Sequence, residues 1–494
     1  MKVNHWLESF SVLELSGKTD LEVGEIVSDS KKASPGSLFV ALKGTKEDGH
    51  RFISEAVDRG AVAVVLEEPI PGEWSREDPS VTYIRVEDTR RALSHLASTF
   101  FQNPMAHLRL IGITGTNGKT TTAFLIQSLL EHAGLKTGLL GTIVYNLGRR
   151  TVAAQQTTPG SLALQSLFSE MRASDVSHVA MEVSSHALDQ GRVEACRFET
   201  SVFTNLSQDH LDYHGTMEAY FASKEKLFDQ TDGKRIVNID DPWGRALKKR
   251  LPYRCWGIAI QEKADFYPEK VMAGVDGIHM AVQTPVGEIE INSPLVGKYN
   301  IYNLIAAVAV GVAVGLSKDA ISAGIAGMKG VPGRFEKLDL GQDFMVIVDY
   351  AHTPDALKRI LEAVAILSSG QIITVFGCGG DRDRGKRAQM GEISARLSHR
   401  TIITSDNPRT ESPSRIIQEI EAGILALPSE VAGDYEVIPD RQEAIARGIG
   451  LAGKGDVVVI AGKGHEDYQI IGRERIFFDD REVARALLAE RVRG

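Results

Sequence analysis

What this chain lacks narrows its chemistry before any motif is read. It has three cysteines, Cys196, Cys255 and Cys378, odd in number and far apart. That argues against a disulfide framework or a zinc cluster and for a reducing cytosol. No apolar run is long enough to span a bilayer: the longest, Leu304 to Leu316, is about 13 residues and reads as a buried helix. Met1 to Phe10 hold no apolar signal-peptide core. Heptads, internal repeats and low-complexity tracts are missing. Positive charge is in deficit, with 56 Lys and Arg against 65 Asp and Glu and a net charge of −9. No basic patch suits nucleic acid or an anionic membrane, so neither partner is expected. An anionic ligand must be met by local groups.

What is present is an ordinary globular composition. The 494 residues suggest about three domains, and 43% hydrophobic with 24% charged residues allows large buried cores. Residues 1–106 carry short apolar runs, Ser37–Leu42, Ala61–Val65 and Thr82–Val86, with helical patterns at His50–Arg59 and Arg90–Phe101 between them. Asn103-Pro104 is a turn and a boundary signal. Residues 107–332 hold near-continuous apolar runs, Leu108–Ile113, Thr137–Ile143, His178–Val183, Ser201–Asn205 and Arg235–Ile239. Such runs imply a parallel sheet covered by helices on both faces. Ile278–Gln283 and Glu288–Asn292 predict an antiparallel hairpin. Val331-Pro332-Gly333 marks a second boundary. Residues 333–494 repeat the pattern as a Rossmann-like α/β domain, with runs Phe344–Val348, Gln371–Phe376, Thr401–Thr404 and Asp456–Ile460. Each ends in a polar or glycine-rich loop, and four such loops on one sheet edge make a cleft.

The sharpest motif is Thr114-Gly115-Thr116-Asn117-Gly118-Lys119-Thr120, set between a strand and a helix. Glycines let backbone amides approach phosphate oxygens, and the helix N-terminus adds partial positive charge. Lys119 can reach the β/γ-phosphates, and the Thr120 hydroxyl can bind Mg²⁺. Thr121 continues the motif into the helix. The strict phosphate loop needs a glycine five positions before Gly118, where Ile113 stands, so this is a shortened variant. Glu182 at a strand end, His210 in Asn205–Asp212 and Lys224 in Tyr220–Lys226 are oxygen, imidazole and amine groups that suit Mg²⁺ beside a triphosphate. Alone, each also reads as an ordinary solvated or hydrogen-bonding residue.

Together these motifs resemble the Mur ligases, ATP-dependent amide-forming enzymes of peptidoglycan precursor synthesis. The resemblance covers all three segments. It implies that Thr114–Thr120 is the family's shortened phosphate loop, that Glu182 and His210 are Mg²⁺ ligands, and that Lys224 is the lysine the family carbamylates into an oxygen ligand. Asn300 and Asn303 match positions near the adenine. Arg334 and Asp349 match residues that meet the nucleotide on domain closure. Lys119, His210 and Lys224 are thus the expected catalytic residues, and ATP and Mg²⁺ the expected cofactors.

Within the family, Asp406-Asn407-Pro408-Arg409 resembles the signature of members that use meso-diaminopimelate. Arg409 can bind that substrate's extra carboxylate in a fork. Arg382, Gly462 and Glu466 match other amino-acid positions. Ser30, Gln156, Thr157, Thr158, Ser184, Gln190 and Arg192 match the site for the sugar-nucleotide peptide. Lys31 stands where the family usually has arginine. The resemblance implies that UDP-N-acetylmuramoyl-L-alanyl-D-glutamate is phosphorylated to an acyl phosphate, which the diaminopimelate amine then attacks. A cytoplasmic monomer is expected. L-lysine as acceptor, a folate polyglutamate synthetase and a nucleotide-driven switch are the competing readings.

Overall fold

The computed structural model describes residues 1–7, 9–44, 47–71, 80–251, 253–274, 276–428, 430–431 and 433–493. The chain divides into two compact units. One comprises Met1–Gly112, Leu135–Glu199 and Lys226–Gly233, and the other Ile113–Gly134, Thr200–Glu225 and Lys234–Gly494.

In the first unit, a five-stranded sheet runs in the order Glu14–Ser16, Thr82–Arg85, Ala61–Leu66, Ser37–Val40, Glu25–Val27. The first strand is antiparallel to its neighbour and the rest are parallel. The three expected strands are present. The two outer strands, only three residues each, carry too little apolar signal to read from sequence. Leu38, Val40, Ala63 and Val65 face one core, while Phe39, Ala41, Val64 and Leu66 face another. This is the period-2 alternation of a strand buried on both faces. The same unit holds His178–Glu182 parallel to Thr137–Leu140. Two antiparallel strands the sequence did not suggest, Val144–Asn146 and Thr151–Ala153, extend it.

In the second unit, the helix Lys119–His132, which follows the glycine loop, packs against Tyr299–Ala313 and Lys318–Ala326. The Ser128 hydroxyl donates to the Gly324 carbonyl at 2.7 Å, which ties the helices closely. Leu304–Leu316 accordingly lies mostly inside the buried helix Tyr299–Ala313. Among the described residues, no helix is long and apolar enough to cross a membrane. Gly277–Gln283 and Ile289–Ser293 form the expected hairpin, joined by Tyr267–Gly274.

The C-terminal sheet runs Glu336–Leu338, Met345–Asp349, Val457–Ala461, Ile372–Phe376, Arg400–Ile403, Asp434–Val437. Only the first pairing is antiparallel. Val457 and Val459 meet the helices Pro354–Leu367, Gly385–Leu397 and Pro413–Leu425, whereas Val458 and Ile460 meet Arg441–Leu451 and Asp480–Arg493. Each fully buried side chain of this kind contributes about 1.5–3 kcal/mol. All four central strands end on the same side, and their following loops supply the polar cleft the sequence implied.

Candidate functional site

The loop between Arg109–Thr114 and Lys119–His132 closes on itself. Lys119 Nζ donates to the carbonyls of Gly115 at 2.9 Å and Thr116 at 2.8 Å. Gly118 has φ 88°, and a Cβ there would lie 2.4 Å from Asn303 Oδ1. Only glycine fits this position. Asn303 Nδ2 donates to Asn300 Oδ1 at 2.8 Å, and Asn300 Nδ2 to the Val296 carbonyl at 2.7 Å. Both asparagines are buried, on one face of the helix Tyr299–Ala313.

A cavity adjoins this loop. Its lining brings together Asn117, Gly118, Thr121, Asn300, Asn303, Arg334 and Asp349, seven of the residues expected at ATP. Asn205, Tyr299 and Arg359 also line it, and sequence reasoning did not single them out. Arg334 Nη2 donates to the Thr120 hydroxyl at 3.2 Å and stacks over Tyr350, 4.4 Å from the ring centre. Both Asp349 oxygens accept backbone amides, from Phe335 at 2.7 Å and Ala351 at 2.8 Å. Burial raises the Asp349 pKa while Arg334 opposes the rise. Helix residue Asp355 accepts from Asn117 Nδ2 at 2.9 Å. A phosphate-bearing nucleotide fits this cradle of loop amides, lysine and buried asparagines.

Lys224 lies wholly inside the protein, its Nζ donating to the same Gly115 carbonyl at 2.8 Å. Burial, then Lys119, holds its pKa well below the ordinary lysine value, with Asp209 opposing. His210 adopts φ 55° and sits 3.5 Å from the Asp209 carboxylate. Burial would raise Asp209, but His210, His352 and Lys386 outweigh it and bring its pKa to about 2. Asp209, His352 and Lys386 are members of this cluster that the motifs did not expose. The Thr120 hydroxyl, the His210 imidazole and the Asp209 carboxylate are donors of the kind that Mg²⁺ can take.

In the other unit, all but one of the residues expected at the sugar-nucleotide peptide form one network. Arg192 Nη1 donates to Gln156 Oε1 at 2.7 Å and to the Thr158 carbonyl at 2.9 Å, and its Nη2 to Gln190 Oε1 at 2.7 Å. The Thr158 hydroxyl donates to the Glu182 carbonyl at 2.9 Å and accepts from the Ser184 amide at 3.0 Å. Thr142 joins the Glu182 carboxylate to Thr157: its amide donates to Glu182 Oε1 at 2.8 Å, and its hydroxyl lies 3.1 Å from the Thr157 hydroxyl. Ser30 is bonded differently, its hydroxyl donating to Glu55 Oε2 at 2.8 Å.

The C-terminal cleft gathers the residues expected at the amino acid. Asn407 Nδ2 donates to Glu466 Oε2 at 2.8 Å, and Arg409 Nη1 to the Gly380 carbonyl at 2.8 Å. Asp406, before Pro408, lies against Gly462, where an added Cβ would stand 2.7 Å from Asp406 Oδ2. Arg382 Nη1 donates to the Asp381 carbonyl at 2.9 Å. Burial, then Arg382, lowers the Arg409 pKa. Two arginines that crowd each other suit an anionic group. Burial, then Asp406, raises Glu466, and Lys463 opposes that rise. Lys463, missed in the sequence although it follows Gly462 directly, is fully buried. Its Nζ donates to Glu466 Oε2 at 3.3 Å and also bonds the Tyr468 carbonyl.

Residues 22–101 match the Mur ligase family catalytic domain, 113–311 the Mur ligase middle domain, and 333–464 the Mur ligase glutamate ligase domain. The chain is 46% identical to the UDP-N-acetylmuramoyl-L-alanyl-D-glutamate--2,6-diaminopimelate ligase of Geobacter metallireducens, covering 97% of this chain and 96% of that one. It is 47% identical to a ligase of the same name from Geobacillus kaustophilus, covering 94% of each. A solved structure bearing that name is 31% identical, with a TM-score of 0.69 over 100% of this chain and 99% of its own. MurF from Acinetobacter baumannii, 18% identical with a TM-score of 0.65 over 100% and 99% of the two chains, shares the fold.

Proposed function

The chain belongs to the Mur ligase family, with its three-domain α/β fold and ATP-dependent amide-bond-forming activity, and we propose that it adds meso-diaminopimelate to UDP-N-acetylmuramoyl-L-alanyl-D-glutamate. The observation that carries the choice of acceptor is Arg409. It is fastened at one Nη to the Gly380 carbonyl beside Arg382 and Glu466's loop. That arrangement offers a guanidinium pair to a distal carboxylate and an acidic group to an ammonium. Residues 1–106, 107–332 and 333–494 are assigned to sugar-nucleotide, ATP and amino-acid binding respectively. The enzyme is read as a cytoplasmic monomer.

Each group has a role that follows from its chemistry. The Gly115–Thr121 amides and Lys119 hold the nucleotide phosphates, and Lys119 offsets charge that builds as the γ-phosphoryl moves. Asn300, Asn303, Arg334 and Asp349 hold the nucleoside end. Thr120, His210 and a carbamylated Lys224 would hold Mg²⁺, which would supply charge neutralisation at the phosphates when bound. Arg192 and the hydroxyls of Thr157, Thr158 and Ser184 bind the polar sugar-peptide. The glutamate side-chain carboxylate attacks the γ-phosphorus and ADP leaves. The diaminopimelate nitrogen then forms the C–N bond to the acyl phosphate, the C–O bond to phosphate breaks, and the amine's proton is lost to solvent. Closing the cleft excludes water that would otherwise hydrolyse the acyl phosphate.

The test is phosphate release with ATP, Mg²⁺ and UDP-N-acetylmuramoyl-L-alanyl-D-glutamate, comparing meso-diaminopimelate, L-lysine and no amino acid. Release should depend on diaminopimelate. Preference for lysine would overturn the reading of Arg409, and equal release without an amino acid would overturn the ligase chemistry.

A further inference from the structure

The amino-acid cleft is built from two loops that no backbone ladder joins, Gly377–Arg382 and Asp406–Arg409. They meet at close range. The Gly380 amide donates to the Asn407 carbonyl at 2.9 Å, and a Cβ on Gly380 would lie 1.9 Å from the Pro408 oxygen. Gly379 sits between the two arginines: a Cβ there would be 2.9 Å from Arg409 Nη1 and 3.9 Å from Arg382 Cγ. Each loop also contains a non-glycine residue in the left-handed region, Asp381 with φ 53° and Arg409 with φ 52°. Such residues cost on the order of 1–3 kcal/mol and persist only where their surroundings hold them.

The holding group is a buried ion pair that the site motifs do not include. Arg387 is fully buried on the helix Gly385–Leu397. Its guanidinium grips Glu411 at both ends, Nη2 to Oε1 at 2.9 Å and Nη1 to Oε2 at 3.1 Å. It also donates to Glu419 at 2.6 Å and to the Gly379 carbonyl at 3.2 Å. Glu411, two residues beyond Arg409, in turn accepts the Asp381 amide at 2.6 Å. The Asp381 carboxylate returns the contact, accepting from the Thr410 hydroxyl at 2.8 Å. One carboxylate thus ties the buried arginine, the glycine loop and the arginine loop together. Because Arg409 anchors one arm on the Gly380 carbonyl, where that loop sits decides where the rest of the guanidinium points. Bidentate carboxylate recognition tolerates little displacement.

We propose that Glu411, gripped by Arg387, is a positioning residue for the amino-acid substrate, fixing Arg382 and Arg409 as a pair that recognises its distal carboxylate. The inference rests on the reading of this cleft as the diaminopimelate site.

The test compares wild type with Glu411→Gln, which keeps the shape and removes the charge. KM for meso-diaminopimelate should rise about tenfold or more, while KM for ATP and for the nucleotide-peptide stays within about twofold and kcat within about threefold. The advantage of diaminopimelate over L-lysine should shrink. In an Arg409→Ala background, Glu411→Gln should raise that KM by less than it does in wild type, since only the route through Arg382 remains. An unchanged KM for diaminopimelate, a full additive effect on Arg409→Ala, or a parallel rise in all three KM values would overturn the proposal. If Glu411→Gln does not fold, Arg387→Lys is read by the same criteria, because lysine cannot grip both carboxylate oxygens and the Gly379 carbonyl. Wild type that fails to ligate diaminopimelate would instead overturn the reading of the cleft, before any variant is made.

Discussion

A lysine sealed beside another lysine is an unfavourable arrangement unless its charge changes. Lys224 and Lys119 donate to one carbonyl, that of Gly115, at 2.8 and 2.9 Å. Burial and the neighbouring ammonium favour the neutral amine. That is the form able to add to carbon dioxide with loss of a proton, and a carbamate formed there would turn repulsion from Lys119 into attraction. Lys224→Ala should therefore abolish ligation, and added bicarbonate should not restore it; normal turnover in the variant would sink the carbamate reading. Arg409→Ala should raise KM for diaminopimelate far more than KM for ATP, as read from initial rates. Glu411 makes a separate prediction about stability. The Arg387 hydrogen bonds bring its pKa from 4.5 to about 2. Between these values the unfolded chain binds more protons than the folded one, so stability rises with pH across that window. The contribution is complete above about pH 4.5 and is lost as pH falls toward 2. In urea titrations, the stability gap between wild type and Glu411→Gln should shrink as pH drops below about 4.5. A gap that is constant with pH would contradict this assignment.

At the scale of elements, the phosphate loop is where sequence and structure agree best, because its requirements are local. Gly118 precedes a helix, takes φ 88° and leaves no room for a Cβ against Asn303. Gly118→Ala should cost about 1–3 kcal/mol and push Asn303 out of the cavity. A fluorescent ATP analogue should then bind much more weakly, and unchanged affinity would show that Asn303 is not part of the nucleotide site. The long strands were legible for a similar reason: buried on both faces, Val457–Ala461 is an unbroken apolar run and Ile372–Phe376 is interrupted only by Thr374. The strands Val144–Asn146 and Thr151–Ala153 were not, since three residues each, with only Tyr145 buried among them, are too short to carry a periodic signal. The expected site residues largely come together, as Arg192, Gln156, Gln190 and Thr158 do. What sequence concealed are the groups that hold them. Arg387 and Glu411 are 24 residues apart, and Lys463 and Asn407 are 56 apart. No spacing rule predicts such pairs, although Glu411 and Lys463 each lie within two residues of a recognised motif position.

At the scale of the whole molecule, the sites proposed for ATP and for the sugar-nucleotide peptide draw on different parts of the chain. The cavity that contains Asn117, Asn303, Arg334 and Asp349 draws on segments from 117 to 360, all within the unit that includes Ile113–Gly134 and Lys234–Gly494. The network of Gln156, Thr158, Ser184, Gln190 and Arg192 lies within the unit that includes Leu135–Glu199. A ligand that binds only the folded state stabilises it by about 2.7 kcal/mol at a hundredfold excess over Kd. It also slows local opening where it makes contact. A non-hydrolysable ATP analogue should therefore protect backbone amides around 115–121, 300–303 and 334–360 from hydrogen exchange. UDP-N-acetylmuramoyl-L-alanyl-D-glutamate should protect amides around 156–158 and 182–192. Each protection pattern appearing with its own ligand would support the division of labour between the units. If the analogue protected 156–192 while leaving 115–121 unchanged, the assignment of the nucleotide to the glycine loop would fail, and with it the roles given to Lys119 and Thr120.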